Sequence, residues 1–361
     1  MPEKTSALFE PFQLNNGVTA PGRLAVAPIT LYCQNPDGSV SEAERQFLRG
    51  RAKGFGIYVL GATLVADNGQ GFPGQPRAIR RSDLPALRER AELVKKEGAL
   101  AIAQIHHAGI LGRAEFLPGH RIVGPSDNEE KGAEALSGSE VEELVEAFAR
   151  AARLCLEAGY DGVEIHGANQ YLIQQFYSAK TNRRTDEWGG SREKRMRFPL
   201  AVTDAVLKVR EEAGRPDFVV GYRLSPEEPD ENGLTMEDTT ALVEQLASRP
   251  LQYIHVSQKD FFRKARRGAD PALSRLEIIR GVIRGRTALM GVGNLMTAED
   301  FARALATGWV DFTATARALM LNPELAELIR SGRGSEIATR LTPEIEASCR
   351  TPSVLFPRLP R

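Results

Sequence analysis

Eight short apolar runs, each followed by a longer amphipathic segment, constrain the fold of this chain more than any other feature. Runs of this length that are apolar on both faces are typical of strands in a parallel sheet, and the intervening segments are typical of the helices that cover it. The repeat favours a closed barrel over an open doubly wound sheet. The runs are Leu24–Pro28, Gly56–Ala62, Ala99–Ile105, Gly162–His166, Phe218–Leu224, Gln252–Ser257, Thr287–Val292 and Val310–Ala314.

These units predict one α/β domain, a single (β/α)8 TIM barrel that occupies residues 1–361 without a break in composition. About residues 1–22 form a lead-in, and about residues 335–361 form a tail. Two connections are unusually long, residues 109–139 after the third strand and residues 259–272 after the sixth. Long loops in a compact domain are usually functional, and both of these follow strands, so we expect them on the catalytic face.

The segment before the fourth strand shows how the helices are specified. Ser139 followed by Glu142 predicts a capped helix start, and Gly159 predicts its end. Cys155 lies on the apolar stripe of this helix, so we interpret it as a core residue. Similar capped starts are predicted at Thr235 and Thr297.

Charge and cysteine content narrow the class of function. The 361 residues include 47 basic and 47 acidic side chains, so nothing draws the whole surface to nucleic acid or to a membrane. Cys33, Cys155 and Cys349 form neither a disulfide framework nor a zinc-ligand spacing. The start lacks a secretory signal pattern, and no stretch approaches the roughly 20 apolar residues of a membrane span. We therefore expect a cytoplasmic protein that binds small molecules, with no nucleic-acid or membrane partner.

Polar or small residues stand at the predicted carboxyl ends of most strands, where barrel enzymes perform their chemistry. One such residue alone is more simply explained as a hydrogen-bonded structural side chain, but their convergence predicts a site. In strand order they are Thr30, Thr63, Gln104, His166, Arg223, His255 with Ser257, and Gly293 with Asn294.

Arg223 and the loops after the last two strands predict an anionic ligand. Arg223 stands on an otherwise apolar strand, so its guanidinium must face an anion or a ring of acceptors. The polar edge of a reduced flavin is one such partner, and a salt bridge to Glu164 is the alternative. Gly291, Gly293 and Arg317 fall where barrels commonly bind phosphate, although the glycines could instead serve only a tight turn.

His166 ends the fourth predicted strand, and Asn169 and Tyr171 follow it closely. Two neutral donors can meet at one oxygen while the phenol reaches another atom, an arrangement that polarises a carbonyl or nitro group and protonates the adjacent carbon. A metal site is the competing interpretation. However, His106 and His107 are adjacent on a strand and so point to opposite faces, and no carboxylate spacing completes a ligand set. We expect no metal.

The stretch HGANQYLIQQFYSAKTNRRTDEWGGSREKRMRF, from His166 to Phe198, resembles the signature of the Old Yellow Enzyme family of FMN-dependent NAD(P)H:flavin oxidoreductases, or ene-reductases. Shorter stretches resemble the family in the same order: NGVTAPGRLAVAPIT, AQIHHAG, GYRLSPEE, GVGNLMT and ATARALMLNPEL. The resemblance implies tightly bound FMN and NAD(P)H as the hydride donor. It also implies ping-pong reduction of activated C=C bonds in enones, enals, maleimides and nitroalkenes. A homodimer or homotetramer is compatible with it.

The resemblance also implies roles for individual residues. His166 and Asn169 would bind the activating oxygen of the substrate, with His166 also against the flavin; Tyr171 would deliver the proton, and Tyr32 would contact the substrate. Arg223 would hold the N1–O2 edge of the flavin, and Thr30 would lie near its O4 atom. The ring would be lined by Ala27, Pro28, Ile29, Thr30, Ala62 and Gln104, and the phosphate would be held by Gly293, Asn294, Ala316 and Arg317.

The role of the carboxyl-terminal segment stays open at this point. The proline-rich tail from Pro352 to Arg361 predicts an extended segment, and in some family members such a tail carries an arginine into the active site of a neighbouring subunit. Arg358 or Arg361 could play that part, and a frayed end is the alternative.

Two rival functions remain. A barrel aldolase would use Lys259 as a Schiff base and the phosphate site for its substrate. That function leaves Gln104 and Arg223 without roles, and likewise His166, Asn169 and Tyr171. A catalytically silent flavin-binding protein would hold FMN without reducing any enone.

Overall fold

The computed structural model describes residues 3–361, and its architecture is the predicted (β/α)8 barrel. Within those residues, parallel strands close into a cylinder in chain order, each paired with its two neighbours. Each strand overlaps one of the apolar runs, so the TIM barrel is confirmed; the domain bounds stay a prediction. The strands are β1 (Leu24–Val26), β2 (Ile57–Leu64), β3 (Leu100–His106), β4 (Gly162–Gly167), β5 (Val219–Leu224), β6 (Tyr253–Val256), β7 (Ala288–Val292) and β8 (Phe312–Thr315).

Helices connect the strands and cover the outside of the barrel. The predicted helix starts at Thr235 and Thr297 are confirmed, each by a reciprocal hydrogen-bonded cap with the aspartate three residues later. The α-helices of the described residues are α1 (Glu42–Leu48), α2 (Leu84–Lys95), α3 (Gly138–Glu157), α4 (Leu172–Tyr177), α5 (Arg192–Glu212), α6 (Met236–Ala247), α7 (Arg275–Ile283), α8 (Ala298–Ala306), α9 (Arg317–Leu321), α10 (Leu325–Arg330) and α11 (Pro343–Ser348).

The start of α3 differs from the sequence prediction by two residues. The cap is Ser137, whose hydroxyl accepts the N–H of Glu140 at 3.2 Å, and the Glu140 carboxylate accepts the N–H of Ser137 at 2.7 Å. The predicted cap, Ser139, lies inside the helix. The segment holds two overlapping serine–glutamate pairs of equal spacing, and Arg121 in the preceding loop binds Glu140 and so favours the earlier one. Cys155 is buried in the core as predicted.

Two apolar clusters hold the layers together. The larger lies between the strands and the helices. The smaller fills the inside of the barrel with side chains such as Ile57, Ile102 and Phe312, and residues of a short hairpin, Phe12–Gln13 paired with Thr19–Ala20, pack against it. Because apolar side chains fill this interior, ligand chemistry is confined to the other end of the barrel, where the polar strand ends lie.

The loop after β3 is long, as predicted, and it contains a small parallel sheet of its own, Ile122–Gly124 paired with Ala133–Ala135. The segment from Pro352 to Arg361 is not extended, contrary to the prediction. Ser353–Arg358 form a 3-10 helix, which buries the side chains of Leu355 and Leu359 in the larger apolar cluster. The N–H of Leu341 also donates to the carbonyl of Pro360 at 2.7 Å. Within the described residues, no helix is long and apolar enough to cross a membrane.

Buried histidines make the folded state sensitive to acid. Burial lowers the pKa of His107 to about 3, and burial together with the adjacent His107 lowers the pKa of His106 to about 3. Below the ordinary histidine pKa of about 6.5, the unfolded chain binds protons that the folded chain does not. We expect the free energy of unfolding to fall on acidification below about pH 6, approaching about 1.4 kcal/mol per pH unit for each such histidine.

Urea unfolding at a series of pH values measures this slope. His107→Gln should reduce the slope. A stability that does not change between pH 7 and 5 would contradict this prediction.

Candidate active site

The carboxyl ends of the strands surround a cavity of about 610 Å³. The wall is formed by residues at the ends of β1, β5, β6, β7 and β8. The structure thus brings together, around one space, predicted cofactor residues from distant parts of the chain: Ala27, Pro28, Arg223, Gly293, Asn294, Ala316 and Arg317.

The loops after β7 and β8 meet at the rim of this cavity. Gly293 has a φ of +153°, and a Cβ on it would lie 2.3 Å from the backbone nitrogen of Phe261, so only glycine fits there. Asn294 adopts a left-handed conformation, and its side-chain oxygen accepts a hydrogen bond from Arg317 Nη2 at 3.0 Å. The backbone at Gly293 carries no side chain that would block a ligand, and Arg317 lies beside Asn294. Both features suit a phosphate group.

Arg223 is a buried cation at the floor of the cavity. Its side chain is buried, and its Nε atom has no hydrogen-bond partner. The salt bridge to Glu164 that the sequence left open is not formed, because the Glu164 carboxylate accepts hydrogen bonds from Gln104 Nε2 at 2.7 Å and His255 Nδ1 at 2.8 Å. An unpaired buried guanidinium nitrogen is costly, so the site fits a ligand edge rich in acceptors, such as the N1–O2 edge of a flavin.

His166 lies opposite Arg223 in the pairing of β4 with β5. Burial, together with the neighbouring His106 and the charge of Arg223, holds the pKa of His166 well below its ordinary value, so the ring is neutral at physiological pH. The N–H of Ala168 donates to His166 Nδ1 at 3.3 Å. The ring proton is therefore assigned to Nε2, and His166 is a neutral hydrogen-bond donor.

Asn169 is oriented by two serines. Its side-chain oxygen accepts hydrogen bonds from Ser257 at 2.8 Å and from Ser225 at 3.5 Å, and its backbone N–H donates to Ser225 at 2.8 Å. With the oxygen occupied, the amide NH₂ group remains as a free donor. No role was predicted for Ser225; its position directly after β5, two residues beyond Arg223, was the available signal.

Tyr171 contacts the rings of His166 and His106, with ring centroids 5.1 Å and 4.4 Å away. Burial raises the pKa of Tyr171, and neighbouring Tyr32 raises it further, against an opposing effect of Arg358. The phenol therefore stays protonated at neutral pH and can donate its proton. No role was predicted for His106, although its position at the end of β3 indicated that it would lie near this group.

Tyr32 lies close to Tyr171 and is held by two contacts of different kinds. It adopts a left-handed backbone conformation, which is uncommon for a residue with a side chain. Its ring meets the edge of Phe72 at 5.2 Å, and its hydroxyl accepts a hydrogen bond from Arg358 Nη2 at 3.1 Å. Arg358, which the sequence offered as an arm toward a neighbouring subunit, thus contacts its own chain.

The remaining predicted cofactor residues differ from one another in burial and in the direction of their side chains. Gln104 and Ala62 are buried, and Thr30 is half-buried after β1. The side chain of Ile29 does not line the cavity but packs in the apolar layer outside the barrel. Lys259 lines the cavity with an exposed side chain, unlike the desolvated lysine of a typical Schiff-base site.

Comparison with known proteins agrees with this geometry. The model of the NADH:flavin oxidoreductase / NADH oxidase family matches residues 7–336. The protein named probable NADH-dependent flavin oxidoreductase of Bacillus subtilis (strain 168) is 45% identical over 342 residues, which cover 94% of this chain and 92% of that protein. NADH:fumarate oxidoreductase of Klebsiella pneumoniae (strain 342) is 36% identical, but the chain, 91% of which is matched, spans only 36% of that longer protein.

A solved structure gives the same result. Morphinone reductase in complex with tetrahydroNAD superimposes on this chain with a TM-score of 0.77 and 28% sequence identity. The superposition covers 94% of this chain and 93% of morphinone reductase. The agreement therefore extends over the whole barrel.

Proposed function

The chain belongs to the NADH:flavin oxidoreductase / NADH oxidase family, and from this membership we propose that it reduces activated C=C bonds in enones, enals, maleimides and nitroalkenes. Membership makes it an FMN-dependent enzyme that oxidises NAD(P)H. FMN, held by Arg223 and the loops after β7 and β8, would supply the hydride-transfer chemistry that links NAD(P)H to the β-carbon of the alkene. The similar Klebsiella protein is named for fumarate, which itself contains an activated C=C bond.

One observation carries the proposal: a neutral Nε2–H donor on His166 lies on the strand next to the buried cation Arg223. Arg223 would hold the polar edge of the flavin, and Gly293, Asn294, Ala316 and Arg317 would hold its phosphate. A substrate oxygen above the ring would then meet His166 and the free amide group of Asn169. Both donors are fixed before the substrate arrives, so they stabilise the negative charge that develops on that oxygen.

Tyr171 would complete the reaction by protonating the α-carbon. Its protonated phenol and its contact with His166 support this role. Tyr32, whose hydroxyl accepts a hydrogen bond from Arg358, would contact the substrate.

Isotope transfer tests the proposed reaction. With 4-deuterated NAD(P)H and 2-methylcyclohexenone, we expect deuterium at the β-carbon of the saturated ketone. With unlabelled cofactor in D₂O, we expect it at the α-carbon. Deuterium on the carbinol carbon of an allylic alcohol would contradict the proposal, because the carbonyl and not the alkene would then be the acceptor.

Removal of Arg317 tests the phosphate site. Hydrogen bonds to charged groups contribute about 1.5–3 kcal/mol, so Arg317→Ala should weaken FMN binding by about 10- to 100-fold. Riboflavin lacks the phosphate and serves as the control ligand, and its affinity should change by less than about threefold. Equal loss for both ligands in fluorescence titrations would remove Arg317 from the phosphate site.

A further inference from the structure

Glu164 is a carboxylate enclosed in the polar end of the barrel, and the proposed reaction gives it no step. Its side chain is 0% exposed. It lies on β4, two residues before His166 on the same face of the strand, and its Cα partner on β3 is Gln104. A buried carboxylate is costly unless its oxygens are paired, so its presence so near the cavity calls for a reason.

The charge of Glu164 is maintained by its neighbours. Burial alone would raise its pKa, but His255, Arg223 and Gln104 outweigh that effect and hold the pKa below its ordinary value. Burial lowers the pKa of His255 against the opposing effect of Glu164, so this histidine is neutral and donates from Nδ1. The pair of charges beneath the cavity is therefore one anion, Glu164, and one cation, Arg223.

Glu164 also fixes the side chain of Gln104. A carboxylate only accepts hydrogen bonds, so the Gln104 atom at 2.7 Å must be its amide nitrogen. The amide oxygen of Gln104 then remains as the free acceptor. Without the carboxylate, the two ends of the amide could exchange places at little cost.

We propose that Glu164 is a positioning residue for the cofactor, which orients Gln104 and, by its negative charge beside Arg223, lowers the reduction potential of bound FMN. The proposal rests on the cofactor site described under the proposed function. Reduced flavin carries more negative charge than oxidised flavin, so Arg223 favours the reduced form and Glu164 opposes it. The opposition makes the reduced enzyme a stronger hydride donor than it would be with Arg223 alone.

The midpoint potential of the holoprotein tests the charge effect. Glu164→Gln removes the charge, keeps the shape and can still accept the hydrogen bond of Gln104. Unit charges several ångströms apart in a protein interior interact by more than the energy of a tenfold change in equilibrium. We expect the variant to favour reduced flavin by at least tenfold, which is about 30 mV for a two-electron couple. Sulfite, which adds to oxidised flavin as an anion, should bind at least tenfold more tightly.

Two further variants keep the test decisive. Glu164→Met removes the same charge with an apolar side chain of similar size, so it serves if the glutamine variant does not fold, and it should also raise the potential. Asp311→Asn is the matched control. Asp311 is another buried carboxylate, paired with Arg280 at 2.7 Å, but it lies at the amino end of β8 and should leave the potential unchanged.

The outcomes separate this proposal from the proposed function. A raised potential in the Glu164 variants, with no change in Asp311→Asn, supports the assignment. An unchanged or lowered potential, or an equal rise in the control, overturns it while the proposed function stands. A wild-type protein that binds no FMN would contradict the proposed function and this proposal together.

Discussion

Tyr171→Phe is expected to slow the oxidation of the reduced enzyme by an enone by about 10²- to 10⁴-fold, the usual contribution of a positioned proton donor. The reduction of the enzyme by NAD(P)H should stay within a few fold of the wild-type rate, because that step delivers a hydride and needs no proton from Tyr171. Anaerobic stopped-flow absorbance separates the two half-reactions.

The matched control is Tyr177→Phe. The Tyr177 hydroxyl donates to the backbone carbonyl of Asp238 at 2.5 Å, away from the predicted site residues, so its removal should affect stability and neither half-reaction. If Tyr171→Phe slows both half-reactions equally, Tyr171 is not the proton donor.

Loss of the oxygen-binding donors should have an effect of similar size. His166→Leu and Asn169→Leu are each expected to slow the alkene step by about 10²- to 10³-fold, the usual cost of removing one donor from a developing oxyanion. If both donors bind the same oxygen, the double variant should lose less than the product of the two single effects. Stopped-flow rates for the four proteins complete the cycle.

The pH dependence of the alkene step provides an independent check on His166. Its pKa is held well below the ordinary value, so the neutral donor persists across the physiological range, and the wild-type rate should show no inflection from this histidine between about pH 6 and 9.

The Asn169 side chain can be tested in a milder way. Ser257→Ala removes the hydrogen bond to the Asn169 side-chain oxygen but keeps the amide NH₂ group, so it should reduce the rate less than Asn169→Leu. If the His166→Leu/Asn169→Leu double variant loses the full product of the two single effects, the two donors bind different atoms of the substrate.

The strands were predictable from the sequence because each buried strand is apolar on both faces and is separated from the next by a helical repeat. The helix start at α3 was wrong by two residues because two serine–glutamate pairs of the same spacing overlap at Ser137 and Ser139. The prediction of an extended tail was wrong because Leu355 and Leu359 pack in a core built from distant parts of the chain, which no local pattern reveals.

The site was predictable where strand order alone brings residues together, as for Arg223 beside His166. It was less predictable where the direction of a single side chain determines whether a residue reaches the cavity. Ile29, for example, was predicted to line the flavin but points away from the cavity. The network of Glu164, Gln104 and His255 joins three strands through side chains inside the barrel. Sequence spacing cannot show which partner each buried oxygen takes, so the alternative of a Glu164–Arg223 bridge could be settled only by the structure.

The central claim is that one cavity holds FMN with its polar edge at Arg223 and an activated alkene beneath His166, Asn169 and Tyr171. The absorbance spectrum of the purified protein under anaerobic conditions tests this claim most directly. We predict flavin bands that bleach on addition of NAD(P)H and return on addition of cyclohexenone, with the saturated ketone formed in equal amount. Flavin bands that bleach but do not return with any enone, or a spectrum without flavin in protein reconstituted with FMN, would contradict it.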